Sequence, residues 1–316
     1  MQFSMSQTYS IAFYNLENLF DPLDNENTRD KDYTPEGIFK WDREKYFQKI
    51  EHLSKVISKV GKMRSNIPPV LMGVCEVENE LCLKDLIESH HLKKYEYDWV
   101  FDSSADSRGI NVALLYQKKH FKILGQKAYT LALNIEGQIE NSRNILHITG
   151  TLFDEKIHLI INHWPSRTDG TKKTNYKRKV ASNTVQQIID KIYFDEPSAH
   201  IMIMGDFNDD PLSDSLQPFK SLDFMNAMEQ FHKEKKGSVK YKGKWIMFDQ
   251  ILLSQNLLKA SWFNYQQAHI FVEPFLIQKT GRFKGSPKRT FINKYHQGGY
   301  SDHFPVFIYF ETALQV

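Results

Sequence analysis

Most of the chemically interesting side chains in this 316-residue chain lie where an apolar run begins or ends. Carboxylate, amide or imidazole groups follow, interrupt or precede six such runs, at Asn15, Glu76, Asn162–His163, Asp206 with Asn208, Asp249, and Asp302–His303. Any one of these residues alone would be interpreted as a turn residue or a helix cap. In α/β folds, however, ligands bind where strands end and loops begin. The repeated pattern therefore predicts one site built at the ends of several strands.

The residue types in this set favour a hard cation combined with acid–base groups. Carboxylate and amide oxygens suit Mg²⁺, whereas no cluster of cysteines and no histidine pair at zinc-ligand spacing accompanies them. An imidazole can act as acid or base near neutral pH. The motifs of P-loop, dinucleotide-binding and serine-hydrolase proteins are missing, which removes the usual sequence support for those functions.

The composition excludes several other classes of protein. Hydrophobic residues make up 41% and charged residues 25%, as in ordinary globular proteins, so a disordered or fibrous chain is excluded. No apolar run reaches the ~18 residues that a membrane helix needs, so integral membrane association is not expected. The net charge of +3 is too small to attract polyanions over the whole surface, and basic function must come from local patches. The cysteine usage and an N-terminus without signal-peptide features predict a cytoplasmic location.

Hydrophobic periodicity predicts strands and helices that alternate within one domain, residues 1–316. Helical spacing covers 42–60, with Asp42 as its N-cap, and also 81–90 and 175–193. Strand-like runs cover 10–13, 68–77, 97–101, 110–116, 144–153, 157–162, 200–204, 244–254 and 303–310. The turn at 154–156 predicts a hairpin between two of these strands, so at least one pair is antiparallel. We therefore expect mixed sheets covered by helices.

Short motifs in a fixed order extend this interpretation over nearly the whole chain. They are YNLEN, GVCEVEN, RGINVALLY, INHWPSR, GDFND, FDQILLS and YSDHFPV. Together they make the sequence similar to the endonuclease/exonuclease/phosphatase superfamily of deoxyribonuclease I-like metal-dependent phosphodiesterases, and to a bacterial subgroup of it. The resemblance implies a four-layer α/β/β/α sandwich, in which two mixed sheets pack face to face with helices outside. It also implies phosphoester hydrolysis with Mg²⁺, or with Mn²⁺ as the alternative ion, at one end of the sandwich.

The same resemblance implies which residues bind the cation and the attacked phosphate. Glu76 would be the main metal ligand, supported by Asn15 and Asp302. Asp206 would position or deprotonate the attacking water, and Asn208 would donate to the scissile phosphate. A cation and an amide placed there stabilise the negative charge that develops on the phosphoryl oxygens.

The remaining implied roles belong to imidazoles and arginines. Asp249 would pair with His303, fixing its tautomer and favouring its charged form. His163 would stabilise the transition state or protonate the leaving oxygen. Whether Asp206 or His303 is the general base stays open at this stage. Arg108 and Arg167 are candidate phosphate contacts, with a solvated loop arginine as the alternative interpretation of each.

Two basic segments favour nucleic acid as the substrate. Residues 165–180 and 279–294 each hold six Lys or Arg, interleaved with aromatic residues, a composition that suits phosphate and base contacts. A histidine at position 163, where the base-excision branch usually has tyrosine, argues against abasic-site repair. The alternatives are hydrolysis of lipid headgroups or inositol phosphates, and a catalytically inactive binding module. For a lipid enzyme, the aromatic segment 262–275 could touch a membrane, although a pair of core strands is the favoured interpretation.

Overall fold

A computed structural model describes residues 6–25, 30–104, 106, 108–135, 138–168 and 170–313. Within these ranges the strands are β1 Ser6–Leu19, β2 Leu71–Val77, β3 Tyr97–Phe101, β4 Asn111–Gln117, β5 Phe121–Ile135, β6 Gln138–Leu152, β7 Glu155–His163, β8 Ile201–Asp206, β9 Phe224–Asn226, β10 Val239–Tyr241, β11 Lys244–Ile246, β12 Asp249–Ser254, β13 Asn264–Ile270, β14 Phe291–Ile292, β15 Tyr295–His296 and β16 Val306–Ala313. The helices are α1 Arg43–Ile57, α2 Lys62–Ser65, α3 Glu80–Glu88, α4 Thr171–Asp195, α5 Gln217–Ser221, α6 Glu229–Lys233 and α7 Gln255–Lys259. Short 3₁₀ helices cover Lys31–Tyr33, Lys93–Tyr95 and Pro274–Leu276.

Two six-stranded sheets form the centre of the protein. The first sheet has the strand order β13-β16-β1-β2-β4-β3, and the second has the order β5-β6-β7-β8-β12-β9. Each sheet contains one parallel pair near its middle, β1–β2 in the first and β7–β8 in the second. The other neighbouring pairs are antiparallel, so both sheets are mixed, as the sequence predicts.

Three apolar layers hold the sheets and helices together. One lies between the two sheets, the second lies between the first sheet and helices α1 and α3, and the third lies between the second sheet and α4. Strand β1 shows how the sequence builds two of them, because Ile11 and Phe13 face the inner layer while Ala12 and Tyr14 face the outer one. A strand buried on both faces needs apolar residues at every position. The four-layer α/β/β/α sandwich is therefore confirmed.

The two parallel pairs bring polar residues to one end of the sandwich. Asn15 pairs in register with Cys75, the residue before Glu76, and His163 pairs in register with Asp206. Because the carboxyl ends of parallel strands meet at the same edge of a sheet, each pair delivers two functional side chains together. Asp249, at the start of the antiparallel strand β12, is the register partner of Asp206 and reaches the same end.

The helices and strands that the sequence predicts are present with small shifts of their boundaries, except in segments 244–254 and 262–275, and the long strand β5 was missed. Strand β5 was not predicted, because its apolar residues are interrupted by Lys, Gly and Gln over a long run. The predicted strand 244–254 is two strands, and β11 pairs with β10 outside the main sheets. The segment 262–275 provides a single edge strand, β13, which pairs with β16. No helix in the described ranges is long and apolar enough to cross a membrane, while a cytoplasmic location and a single domain stay predictions.

Candidate active site

Glu76 reaches the site because the backbone of β2 is irregular at this residue. Cys75 faces the inner apolar layer and Val77 faces the outer one, so Glu76 is an extra residue that strand alternation does not place. Its φ of 61° lies in the left-handed region, as do the φ angles of Asn18 and Asn208 at 52° and 50°. Such conformations are uncommon outside glycine and concentrate at functional sites.

Asn15 links carboxylates that come from the two sheets. Its Nδ2 donates to Oε1 of Glu76 at 3.2 Å and to Oδ2 of Asp206 at 3.1 Å. Its Oδ1 accepts the backbone N–H of Glu17 at 2.8 Å, and the N–H of Asn18 holds the second oxygen of Glu76 at 2.9 Å. These bonds give Asn15 and Asn18 a positioning role toward the two carboxylates. The assignment of Asn15 as a direct metal ligand stays a prediction.

His303 is held as a charged imidazole by three carboxylates. Its Nδ1 lies 2.7 Å from Oδ2 of Asp249, while its Nε2 lies 3.8 Å from Oδ1 of Asp302 and 3.9 Å from Oδ2 of Asp206. Burial by itself disfavours the charged ring, but the charges of Asp249, Asp302 and Asp206 outweigh it and raise the pKa of His303 well above its ordinary value. These surroundings therefore favour the imidazolium form of His303.

His163, at the end of β7 in the second sheet, differs from His303 because its surroundings disfavour a charged ring. Its Nε2 lies 3.7 Å from Oε1 of Glu76 and 3.8 Å from Oδ2 of Asp206, and its buried Nδ1 has no hydrogen-bond partner in the part of the chain that the structure describes. Burial, together with the positive charges of Arg108 and His303, lowers the pKa of His163 well below its ordinary value. These surroundings favour the neutral form of His163, so the two histidines have opposite charge preferences because their surroundings differ.

Burial and mutual repulsion disfavour the ionised forms of the carboxylates in the cavity. Burial and the charge of Asp249 raise the pKa of Asp206 to about 7, against the opposing effect of His303. Burial and the charge of Asp302 raise the pKa of Glu76 as well, although 16% of its side chain is exposed. A donor set of carboxylate oxygens with unfavourable mutual repulsion fits a hard divalent cation.

The turn after β8 is fixed by arginines. Asn208 donates its backbone N–H to Oδ1 of Asp206 at 2.9 Å and its Nδ2 to the carbonyl of Trp164 at 3.0 Å. Arg167 donates Nε to the carbonyl of Asn208 at 2.8 Å, and its guanidinium pairs with Asp209. The fully buried Arg178 binds the second oxygen of Asp209 at 2.8 Å. These contacts favour a positioning role for Arg167, and its phosphate contact stays a prediction.

Arg108 and Asp302 lie at the more open side of the cavity. Arg108 is about half exposed, with Nε 3.6 Å from Asp106, and its charge lowers the pKa of Glu76 and of His163. Asp302 is 29% exposed and lies 3.7 Å from Nη2 of Arg289. The structure thus brings together the predicted residues Asn15, Glu76, Arg108, His163, Asp206, Asn208, Asp249, Asp302 and His303, with Arg167 behind the Asn208 turn.

Sequence reasoning missed a buried ion pair beside the cavity. Lys49 of α1 lies 3.5 Å from Glu17 and donates to Oγ1 of Thr290 at 2.5 Å and to the carbonyl of Tyr300 at 2.7 Å. Glu17 accepts the N–H of Thr290, and burial, with the charge of Asp302, raises its pKa to about 7. These bonds tie the segment that carries Asp302 to β1. One signal was present, because Lys49 occupies a position of helix α1 whose neighbours in the helical repeat are buried.

The comparisons with known proteins agree with this fold, which is that of the deoxyribonuclease I-like class. The model of the endonuclease/exonuclease/phosphatase family matches residues 10–312, so the chain belongs to this family, whose members hydrolyse phosphoesters. No curated protein matches the chain in sequence.

Solved structures share the architecture at low sequence identity. A family protein from Bacteroides thetaiotaomicron has a TM-score of 0.60 at 16% identity, covering 98% of this chain and 100% of its own. The mannosyl-6-phosphatase of the same organism gives 0.60 and 16%, covering 96% and 99%. D. rerio TDP2, solved with a single-strand DNA product, gives 0.57 and 14%, again covering 96% and 99%. At these identities the likeness concerns the fold alone.

Proposed function

We propose that this protein is a divalent-metal-dependent phosphodiesterase that acts on nucleic acid as a nuclease. The observation that carries the proposal is the meeting of Glu76, His163, Asp206 and His303 in one cavity, with contacts of 3.7 to 3.9 Å from His163 to Glu76 and from both imidazoles to Asp206. These side chains come from both sheets and from positions up to 227 residues apart in the chain. Convergence of acids, bases and hydrogen-bond donors is what hydrolysis of a phosphoester requires.

Glu76 and Asp302 would hold the cation, with Asn15 orienting Glu76. The ion would be Mg²⁺, with Mn²⁺ as the alternative, because the available donors are oxygens. When bound, it would supply positive charge to the phosphoryl oxygens and the leaving group. It would also offset the two effects that raise the pKa of Glu76, which are its burial and the negative charge of Asp302.

The chain's own residues then divide the acid–base work. Asp206 is the proposed general base, since a carboxyl group with a pKa of about 7 can accept a proton from water at neutral pH. His303, kept charged and oriented by Asp249, would donate Nε2–H to the phosphoryl oxygens. His163 and Asn208 would add neutral donors. Each donor of this kind is typically worth a factor of about 10² to 10³ in rate.

Basic and aromatic side chains near the cavity support a nucleic-acid substrate. Segment 279–294 meets the site through Arg289, whose guanidinium lies 3.7 Å from Asp302 and 5.2 Å from the ring centre of Phe283. In segment 165–180, Arg167 and Arg178 form ion pairs with Asp209, whereas Lys172 and Lys173 at the start of α4 are exposed. Exposed lysines, together with an arginine that lies over an aromatic ring, fit a phosphate backbone with stacked bases.

A small phosphorylated molecule is the second candidate substrate. The observation that favours it is the structural similarity to a mannosyl-6-phosphatase, whose TM-score of 0.60 is close to the 0.57 of D. rerio TDP2. The lipid alternative has less support, because β13 pairs along β16 and Phe263 is buried. An inactive binding module is the remaining alternative, and it predicts that Glu76→Gln leaves affinity for the ligand intact.

A substrate panel tests the proposal. Plasmid DNA, single-stranded DNA, RNA, bis-p-nitrophenyl phosphate, mannose 6-phosphate, inositol phosphates and sphingomyelin vesicles are incubated with Mg²⁺, Mn²⁺ or EDTA. We expect DNA or RNA cleavage that needs the cation and falls at least 10²-fold in Asp206→Asn, with the exposed Asp214→Asn as the matched control. Turnover of a phosphomonoester or lipid with intact nucleic acid would overturn the nuclease assignment. Wild-type rates in both His163→Ala and Asp206→Asn would overturn the site.

A further inference from the structure

A second group of buried carboxylates lies beyond the strand ends that carry Asn15 and Glu76. Asp21 follows β1, Glu78 follows β2, and Asp30 belongs to the segment between β1 and α1. These residues are only 5%, 5% and 1% exposed, respectively. Within the described ranges, no lysine, arginine or histidine forms an ion pair with any of them. The group has no role in the hydrolysis proposed above.

The three carboxylates face one another. Glu78 accepts the backbone N–H of Asp21 at 2.9 Å, and oxygens of the two carboxylates belong to one cluster, all within 4.8 Å, that also contains Sγ of Cys82. The Asp30 carboxyl group is within side-chain hydrogen-bonding reach of Glu78. Asp30 Oδ2 accepts the N–H of Asn25 at 3.1 Å, whereas the buried Oδ1 has no donor among the described residues.

Neutral donors alone do not compensate this much buried charge. Its donors from the described residues include backbone N–H groups and the side-chain amide of Asn79, which lies 2.8 Å from Oδ2 of Asp21. A buried carboxylate that lacks an opposite charge is costly, and carboxylates that share a site repel each other. Oδ1 of Asp30 is buried and receives no donor from the described residues, and the carboxyl group of Asp30 lies within hydrogen-bonding reach of Glu78, so a cation bound among these carboxylates would supply the opposite charge that they lack.

We propose that Asp21, Asp30 and Glu78 form a second divalent-cation site, separate from the catalytic one, that takes a hard ion of the Ca²⁺ type. Ca²⁺ accepts irregular sets of oxygen ligands from loops, whereas Mg²⁺ demands a near-ideal octahedron. Cys82 does not redirect the site to a soft metal, because burial raises the pKa of its thiol well above the ordinary value and keeps it protonated. The ion would tie the segment after β1 to the end of β2, next to Glu76.

The test uses the full chain with Glu76→Gln, which disables the catalytic cation site. Metal-free protein is titrated with Tb³⁺, and luminescence is excited through tryptophan, since Trp41 donates Nε1–H to the carbonyl of Phe20 beside Asp21 at 2.9 Å. Ca²⁺ and Mg²⁺ are then used to displace Tb³⁺. Asp30→Asn removes one charge at constant shape, and Asp24→Asn changes an exposed carboxylate of the same segment as the control.

We expect one saturable Tb³⁺ site that Ca²⁺ displaces at lower concentration than Mg²⁺ does. Asp30→Asn should weaken the Tb³⁺ affinity at least tenfold, and Asp24→Asn should leave it unchanged. If circular dichroism shows that Asp30→Asn does not fold, Asp21→Asn takes its place. Independently of these variants, added Ca²⁺ should raise the Tm of the Glu76→Gln protein. The proposal is overturned if Glu76→Gln binds no Tb³⁺ saturably. It is also overturned if Asp30→Asn folds and binds Tb³⁺ as tightly as the Glu76→Gln protein does. A third contrary result is a metal-free Asp30→Asn protein that is more stable than the Glu76→Gln protein, combined with no effect of Ca²⁺ on Tm. In that case a proton shared between the carboxylates would explain the cluster.

Discussion

Oδ2 of Asp249 lies 2.7 Å from Nδ1 of His303, and this contact joins the two sheets at the end where the cavity opens. Asp249 is the first residue of β12 in the second sheet, while His303 precedes β16 in the first. Asp249 is completely buried, and its other oxygen has no hydrogen-bond partner among the described residues. The same bond therefore fixes the tautomer of a proposed catalytic imidazole and connects the two halves of the site.

Replacing this carboxylate should cost activity without dismantling the cavity. Asp249→Asn keeps the shape but removes the charge that holds His303 protonated, so we expect kcat to fall by roughly 10² to 10⁴, as for other Asp–His pairs. The pKa of His303, measured by NMR titration, should fall at the same time. Asp214→Asn, an exposed carboxylate, is the control. An unchanged kcat would show that His303 does not act as an imidazolium.

The rate of hydrolysis should depend on pH through Asp206 and His303. The proposed base must be deprotonated, and the pKa of Asp206 is raised to about 7, so kcat rises with pH through an acidic limb. A bound cation lowers that pKa, which places the midpoint of the limb at or below about 7. The rate falls again only at high pH, because the pKa of His303 is raised well above its ordinary value. A pH–rate profile in Asp206→Glu and in the wild type checks the assignment, since only the acidic limb should move.

In metal-free protein, Asp206 should lower stability as the pH rises. Its pKa is about 7 in the folded state and about 3.9 in an unfolded chain, so the folded state binds the proton more tightly. The cost of ionising Asp206 accumulates between these two values and is complete above pH 7. We therefore expect Asp206→Asn to raise the free energy of unfolding by about 2 kcal/mol at pH 8, and by much less at pH 4. Urea denaturation with EDTA at both pH values measures the difference, and an equal effect at both would contradict the explanation.

Glu76→Gln should convert a metal-saturated enzyme into one that barely responds to metal. Gln keeps the shape of Glu76 but removes its charge, and its one amide oxygen can accept from only one of the two donors, Asn15 Nδ2 and the Asn18 N–H. We therefore expect kcat to fall at least 10²-fold at the Mg²⁺ concentration that saturates the wild type. Mg²⁺ titration of activity is the measurement. Glu80→Gln, at the exposed start of α3, should behave as wild type. A Glu76→Gln enzyme with unchanged Mg²⁺ dependence would place the cation elsewhere.

Arg167 offers a test between structural support and substrate binding. Because its guanidinium is paired with Asp209 and its Nε holds the carbonyl of Asn208, Arg167→Gln should lower the stability by about 2 kcal/mol. The displaced Asn208 turn should reduce kcat about tenfold with little change in KM. Lys179→Gln, on the exposed side of α4, is the matched control. A raised KM with unchanged stability would instead support the phosphate contact that the sequence suggested.

The sequence predicted the fold class through the family resemblance of its ordered motifs, and it predicted the candidate site residues from the local pattern at the ends of apolar runs. Apolar runs that end in Asn15, Glu76, His163 or Asp206 are visible in the chain, and their order carries the family resemblance. Strand β5 was missed because its apolar residues are interrupted, and only its pairing with β6 keeps the strand extended over that length. Local pattern is a weak guide where tertiary pairing supplies the stabilisation.

Residue types at the ends of apolar runs determined that carboxylates and imidazoles lie at strand ends, and the family resemblance of the ordered motifs implied the two-sheet sandwich. Only the tertiary structure decided the charge state of each group. His163 and His303 are the same residue type, yet one favours the neutral form and the other the charged form, because pKa depends on burial and on which charges lie within a few ångström. The ion pair of Lys49 with Glu17, the pairing of Arg167 with Asp209, and the grouping of Asp21, Asp30 and Glu78 follow the same rule. They join positions distant in the chain, and distances through space are what folding sets.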